Sequence, residues 1–148
     1  MKQKERRMTL NRNDFAAWKR IEVRWSDMDS MGHVNNAIYF TYLEQARIGF
    51  LRDQGAASGM KVGGKGFGLV SIGCDFRRQV HYPAQLDIGT RVTKIGNRSF
   101  HLEQGVFLEG DDTLMAHGRT VMCWVDYEQE KAIPLPDDIR AVLERFMA

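Results

Sequence analysis

Nowhere in this sequence do apolar residues run on for the 18 or so positions that cross a bilayer as a helix, so no helical membrane span is expected. Cysteine is scarce. Cys74 and Cys123 form no zinc-ligand spacing and read as small buried hydrophobes rather than as a disulfide. Histidines 81, 101 and 117 are scattered without metal-ligand spacing, so no metal is expected. No serine or cysteine nucleophile stands beside a recognisable base, which speaks against a hydrolase triad. Internal repeats and low-complexity segments are lacking, and so is the apolar core of a secretory signal near residue 1. The cytoplasm is therefore the expected location.

What is present suits one domain with a real core: 148 residues, 43% hydrophobic and 27% charged. The net charge of +2 is uneven, with +5 on residues 1–20 and −3 on the rest. Residues 1–15 read as a basic tail, and residues 16–148 as a single domain. No base-reading motif accompanies the basic arm, so nucleic acid is not an expected partner.

Ile21, Val23 and Trp25 alternate with polar residues, the period of a half-buried strand. Tyr39, Tyr42, Leu43, Ala46 and Phe50 then fall on one helical face, with Asn35 or Asn36 as N-cap and Gly55 as the stop. Phe40, Ile48 and Leu51 widen the apolar surface, so this helix should be covered on most sides. Within it, Glu44 is set to pair with Arg47 at i+3 or else to face a ligand pocket.

Residues 55–68 are glycine-rich and read as a flexible loop or a plain connector. Alternation resumes at Val70, Ile72, Cys74 and Phe76, at Leu86, Ile88 and Val92, and at Phe100, Leu102, Val106 and Leu108. A last strand follows over 114–127 and a short amphipathic helix around Ile139–Phe146. Gly96-Asn97 is a hairpin signal. One strand, a long apolar helix and four more strands joined by short turns imply an antiparallel sheet wrapped around that helix.

Chemistry gathers in residues 24–36, Arg-Trp-Ser-Asp-Met-Asp-Ser-Met-Gly-His-Val-Asn-Asn, between the first strand and the helix. Backbone N–H groups at a helix N-terminus favour negative charge, so a carboxylate just upstream could work beside ready-made oxyanion donors. An ordinary capped turn uses the same residue types.

Taken together, Asp27-Met28-Asp29, Gly32-His33-Val34-Asn35-Asn36, Tyr39 and Glu44-Gln45-Ala46-Arg47 resemble the hotdog-fold acyl-CoA thioesterases of the 4-hydroxybenzoyl-CoA thioesterase family. Val80-His81-Tyr82-Pro83 and Gly96-Asn97-Arg98-Ser99-Phe100 are similar too, and the likeness covers residues 18–128. The resemblance implies an α+β hotdog fold with a five-stranded antiparallel sheet around residues 36–54. It implies hydrolysis of an acyl-CoA, or an acyl carrier protein thioester, to a free acid.

The resemblance makes Asp29 the nucleophile or general base and puts backbone donors in the Gly32–Asn36 region, with His33 and Asn36 as further catalytic candidates. His33 reads equally as a loop residue satisfied by backbone. Asp27 reads as structural. A thioester is already activated, so a carboxylate with oxyanion donors suffices and no cofactor is expected.

Coenzyme A is phosphate-rich. Arg77, Arg78 and Arg98, with Ser99, are the candidates to hold it, unless these arginines merely decorate sheet edges. Apolar residues on both faces of Val121–Val125, and the edge strand a lone sheet would leave, imply a homodimer or homotetramer. The competing functions are a hotdog hydratase or dehydratase and a non-catalytic acyl-CoA-binding module.

Overall fold

The computed structural model describes residues 10–56 and 63–148. Strand β1 (Ala17–Glu22) leads through the 24–36 loop into helix α1 (Asn36–Asp53). Strands β2 (Lys65–Phe76), β3 (Gln85–Ile95), β4 (Ser99–Leu108) and β5 (Leu114–Asp126) follow. A two-residue strand β6 (Lys131–Ala132) and helix α2 (Asp137–Arg145) complete the order.

The sheet runs β1-β3-β4-β5-β2 with β6 beside the end of β5, and every strand pair is antiparallel. Five long strands curl around α1, which is the α+β hotdog architecture. β1 and β2 are its two edges.

The curl brings strands very close to α1. A Cβ built on Gly118 of β5 would lie 2.8 Å from Leu43 Cδ1, so the missing side chain lets the helix settle onto the sheet. Gln104 Nε2 donates to the Leu43 carbonyl and to Thr90 Oγ1, both at 3.1 Å, pinning mid-helix to β3 and β4. Tyr39, Tyr42, Leu43, Ala46 and Phe50, the face marked by spacing, are all buried. Ile139, Val142 and Leu143 of α2 close the core at the far end of α1.

Several expectations need correction. Trp25 is not on a strand: it opens a 3₁₀ turn, Trp25–Asp27, and is 75% exposed. β2 begins at Lys65 rather than near Val70, because Phe67 packs edge-on against Phe100 and Trp124 and draws the glycine-rich approach into the ladder. Val70 is the unpaired residue of a bulge between Leu69 and Ser71, so its side chain is exposed instead of inward. Residues 57–62 of the expected loop lie outside the described residues. Glu44 and Arg47 do not form the local ion pair. Glu44 is exposed and Arg47 is buried, with no carboxylate within 4.0 Å among the described residues.

The end of the basic segment is also packed. Leu10 and Phe15 are buried, and Phe15 lies across Gly89 and Gly105, which face each other on β3 and β4. Arg12 anchors this stretch by donating to Asp87 and to the carbonyls of Leu108 and Asp111.

The 24–36 loop is held from beneath by Asp27, which is 1% exposed. Tyr42 of α1 donates its hydroxyl to Asp27 at 2.5 Å, and the Arg24 amide and guanidinium donate at 2.9 to 3.2 Å. Burial alone would raise the Asp27 pKa, but the bonds from Tyr42 and Arg24 outweigh it and hold the group below the usual carboxylate value. The Asp27 carbonyl also accepts from the Asn35 amide at 3.0 Å, tying the loop to the helix start.

Two consequences are measurable. Tyr42→Phe should cost about 1–3 kcal/mol at neutral pH, read by urea unfolding. A depressed native pKa gives stability that is complete above about pH 4 and is lost as pH falls through the native value, so the gap between parent and variant should close in acid. A gap unchanged into strong acid would count against the bond. Separately, Gly89→Ala would put a Cβ 2.5 Å from Phe15 Cγ and should evict that ring, lowering stability by about 1–3 kcal/mol. Full stability with Phe15 still buried would refute the packing described here.

Candidate active site

The loop from Met28 to Val34 folds back on itself. Met28 and Val34 form a bridge, the Asp29 amide donates to the His33 carbonyl at 2.9 Å, and the Gly32 amide donates to the Asp29 carbonyl at 3.1 Å. Gly32 takes φ +85°, a conformation that favours glycine and lets the chain reverse here. Asp29 Oδ1 accepts from the Met31 amide at 2.8 Å, an Asx turn that fixes the carboxylate's orientation. The Val34 amide donates to the Val80 carbonyl at 2.9 Å, joining the loop to the segment after β2.

Asn35 is the N-cap of α1, its Oδ1 accepting from the Ala37 amide at 2.9 Å. Among the described residues the Asn36 amide, first of the helix, donates to no partner. Asn36 and Asp29 both line a cleft of about 440 Å³. His33, Tyr39 and Phe76 form its walls, and Arg77, Arg78 and Gln79 its rim. The amides of Arg77 and Arg78 both donate to the Met115 carbonyl, at 2.9 and 3.1 Å, which holds the end of β2 against β5. The cleft therefore combines a carboxylate, the first residue of the helix, an aromatic wall and a cationic lip.

Asp29 and Asp27 have separate fates. Asp27 is sealed beneath the loop, whereas the Asp29 side chain is 25% exposed and faces the cleft. His33 Nδ1 stands 3.7 Å from Asp29 Oδ2 and 3.4 Å from the Val34 carbonyl, so it makes no short hydrogen bond to the carboxylate.

Five of the seven expected site residues, Asp29, His33, Asn36, Arg77 and Arg78, share this cleft. Arg98 and Ser99 do not. They stand at the β3–β4 hairpin, whereas the cleft lies where β2 ends, beside the start of β5. A strand of 10 residues separates the two ends by about 33 Å. Glu44 does not line the cleft either.

Two features escaped the sequence reading. Asp29 also borders a second cleft of about 540 Å³ lined by Trp25, Ser26, Met28, Gly32 and Tyr82. His81 Nδ1 donates to the Gly32 carbonyl at 3.0 Å and so buttresses the turn that carries Asp29. The Val80–Pro83 segment carried a family likeness but no pattern that assigned either role.

Comparison with known proteins agrees with the fold. A family model described as the thioesterase-like superfamily matches residues 23–143. The chain is 28% identical over 127 residues to the long-chain acyl-CoA thioesterase FadM of Escherichia coli, covering 86% of this chain and 96% of that protein. The crystal structure of the PA5185 protein from Pseudomonas aeruginosa superposes with a TM-score of 0.87 at 30% identity, covering 93% of this chain and 96% of that one. YbaW, a probable thioesterase from Escherichia coli, superposes with a TM-score of 0.78 at 27% identity, covering 90% and 100%. With the curled sheet, the central helix and the Asp29 loop in place, the chain belongs to the thioesterase-like superfamily.

Proposed function

We propose that this protein hydrolyses acyl-CoA thioesters to a carboxylic acid and free CoA, with Asp29 as the reacting carboxylate and the Asn36 amide as an oxyanion donor. The observation that carries the reading is that Asp29 and Asn36 line one cleft. A thioester carbonyl bound there would develop its negative charge against the N-terminus of α1, where the unpaired N–H and the helix dipole favour it. If Asp29 acts as general base, it takes a proton from water as the water oxygen attacks the carbonyl carbon; the C–S bond then breaks, and the proton held by Asp29 passes to the leaving CoA sulfur. If Asp29 acts as nucleophile, its oxygen attacks the carbonyl carbon and the C–S bond breaks to leave an acyl-aspartyl anhydride and the CoA thiolate; water then hydrolyses the anhydride, releasing the carboxylic acid and restoring Asp29, and solvent protonates the thiolate. Relatives named as thioesterases, FadM among them, support the substrate class.

Coenzyme A enters with its phosphates at the rim, where Arg77 and Arg78 offer bidentate donors. The acyl group lies along Tyr39 and Phe76. The working unit is a homodimer formed through β2. That edge is 12 residues long, is unpaired on its outer side among the described residues and exposes Leu69, Val70 and Phe76, a surface that invites a further strand. Antiparallel pairing of β2 with its copy sets the Lys65 end of one strand against the Phe76 end of the other. The β3–β4 hairpin lies on the Lys65 side, so Arg98 of the partner subunit approaches the cleft that its own chain cannot reach.

Release of free thiol from a panel of acyl-CoAs separates hydrolysis from hydration and from mere binding. Asp29→Asn should lower kcat by about 10²–10⁴, the worth of a positioned general base, and by more if the carboxylate is the nucleophile. Asp27→Asn should act through stability, read as a lower Tm. Rates within a few-fold of the parent for Asp29→Asn would overturn the mechanism. Arg77→Gln with Arg78→Gln should raise KM more than it lowers kcat, because the phosphates lie away from the reacting carbonyl. Unchanged KM would move the CoA site elsewhere.

A further inference from the structure

The turn that carries Asp29 is firm at its base. Met28 bridges Val34, and the buried Val34 donates its amide to the carbonyl of the buried Val80 at 2.9 Å. Its tip is held differently. Ser30, Met31 and Gly32 are all exposed, Met31 at 77%, so no side chain of the tip is packed into the core. A Cβ built on Gly32 would meet nothing within 4 Å, so packing does not restrain that position either. The bonds from the Asp29 amide to His33 and from the Gly32 amide to Asp29 lie within the turn and fix its shape rather than its place. Among the described residues, one hydrogen bond joins the tip to a distant part of the chain, from His81 Nδ1 to the Gly32 carbonyl at 3.0 Å.

That donor is itself anchored, because His81 follows Val80, which is 1% exposed. A carbonyl only accepts, so Nδ1 carries the proton and the neutral ring keeps its lone pair on Nε2. From there the constraint passes inward. The bond places Gly32, the Gly32 amide closes the turn on the Asp29 carbonyl, and the Met31 amide between them holds Asp29 Oδ1 at 2.8 Å. Asp29 Oδ2 accepts no hydrogen bond among the described residues, since His33 Nδ1 stands 3.7 Å away.

We infer that His81 is a positioning residue for the proposed hydrolysis. Through the Gly32 carbonyl it holds the turn so that Oδ1 stays on the Met31 amide and Oδ2 is presented to the thioester or to the attacking water. The inference rests on the reading of Asp29 above, and adds which oxygen reacts and which side chain aims it. His81 touches no reacting atom. Its effect is on rate, because a misplacement of about 1 Å can cost about 10²-fold.

Leucine and asparagine share a shape, and the asparagine amide nitrogen takes the place of Nδ1, so this pair separates the donor from the bulk of the side chain. His81→Leu should lower kcat about 10–100-fold and leave KM within about three-fold of the parent. Its Tm should stay within about 2 °C, because His81 is exposed. Deuterium uptake over residues 29–33, read by mass spectrometry, should quicken about ten-fold as the turn loosens. His81→Asn should bring kcat to within about three-fold of the parent and restore the parent's uptake.

Equal losses in His81→Asn and His81→Leu would overturn the inference, since the imidazole itself would then be needed. Parent-like kcat in His81→Leu would overturn it too. So would a His81→Leu chain that melts far below the parent or fails to fold, which would make the bond a general support of the fold. A parent that releases no thiol from any acyl-CoA would remove the reaction and this role together, whereas a parent that does so while His81→Leu matches it would remove this role alone.

Discussion

Asp27 gives up solvent in exchange for donors from two directions, the Tyr42 hydroxyl in α1 and the Arg24 amide and guanidinium in the chain just ahead of it. That arrangement fixes the distance between the loop and the helix on which the cleft depends. With Asp27 clamped, its carbonyl accepts from the Asn35 amide, and the N-cap is set in place. The turn that follows can then present Asp29 outward with its orientation fixed by Met31. One carboxylate is immobilised for structure and its neighbour two residues on is left available. Water is the difference: the same chemical group is an anchor where it is sealed and a candidate reagent where it is wet.

Much of this was legible in the sequence because it follows from local rules. The helical face of Tyr39 to Phe50 needed only a 3.6-residue period, and the Gly96-Asn97 hairpin only its turn chemistry. What escaped depended on contacts between distant segments. Trp25 carries strand-like alternation, yet Asp27 turns the chain at that point and leaves the indole in solvent. Val70 sits on an alternating pattern that a bulge interrupts, and nothing local marks the extra residue. Phe67 joins β2 because Phe100 and Trp124 receive it, a fact visible only in three dimensions.

The candidate site divides in the same way. Asp29, His33 and Asn36 lie within eight residues of one another, so the motif carries their proximity. Arg77 and Arg78 join them because β2 ends beside the helix start. Arg98 and Ser99 share the family likeness but stand at the other end of the strands, where chain topology rather than motif decides their neighbours. Glu44 and Arg47 show the limit of helical spacing as a guide. Their i, i+3 separation allows a pair, but one side chain turns inward and the other outward, since Arg47 falls nearer the buried face.

Phe15 lies over Gly89 and Gly105, and neither glycine has the positive φ that would demand its residue type. Gly89 is dictated from above, by a ring contributed from a segment some seventy residues earlier in the chain, and Gly105 by that ring and by Phe107 together. Positions 15 and 89 are thus under one joint constraint. A lineage that first lost the aromatic at 15 could afterwards accept a side chain at 89, whereas the reverse order passes through a clash, and position 105 stays closed while Phe107 remains. Among relatives positions 15 and 89 should change together, and an aromatic at 15 beside a bulky residue at 89 should be the combination that natural variation avoids.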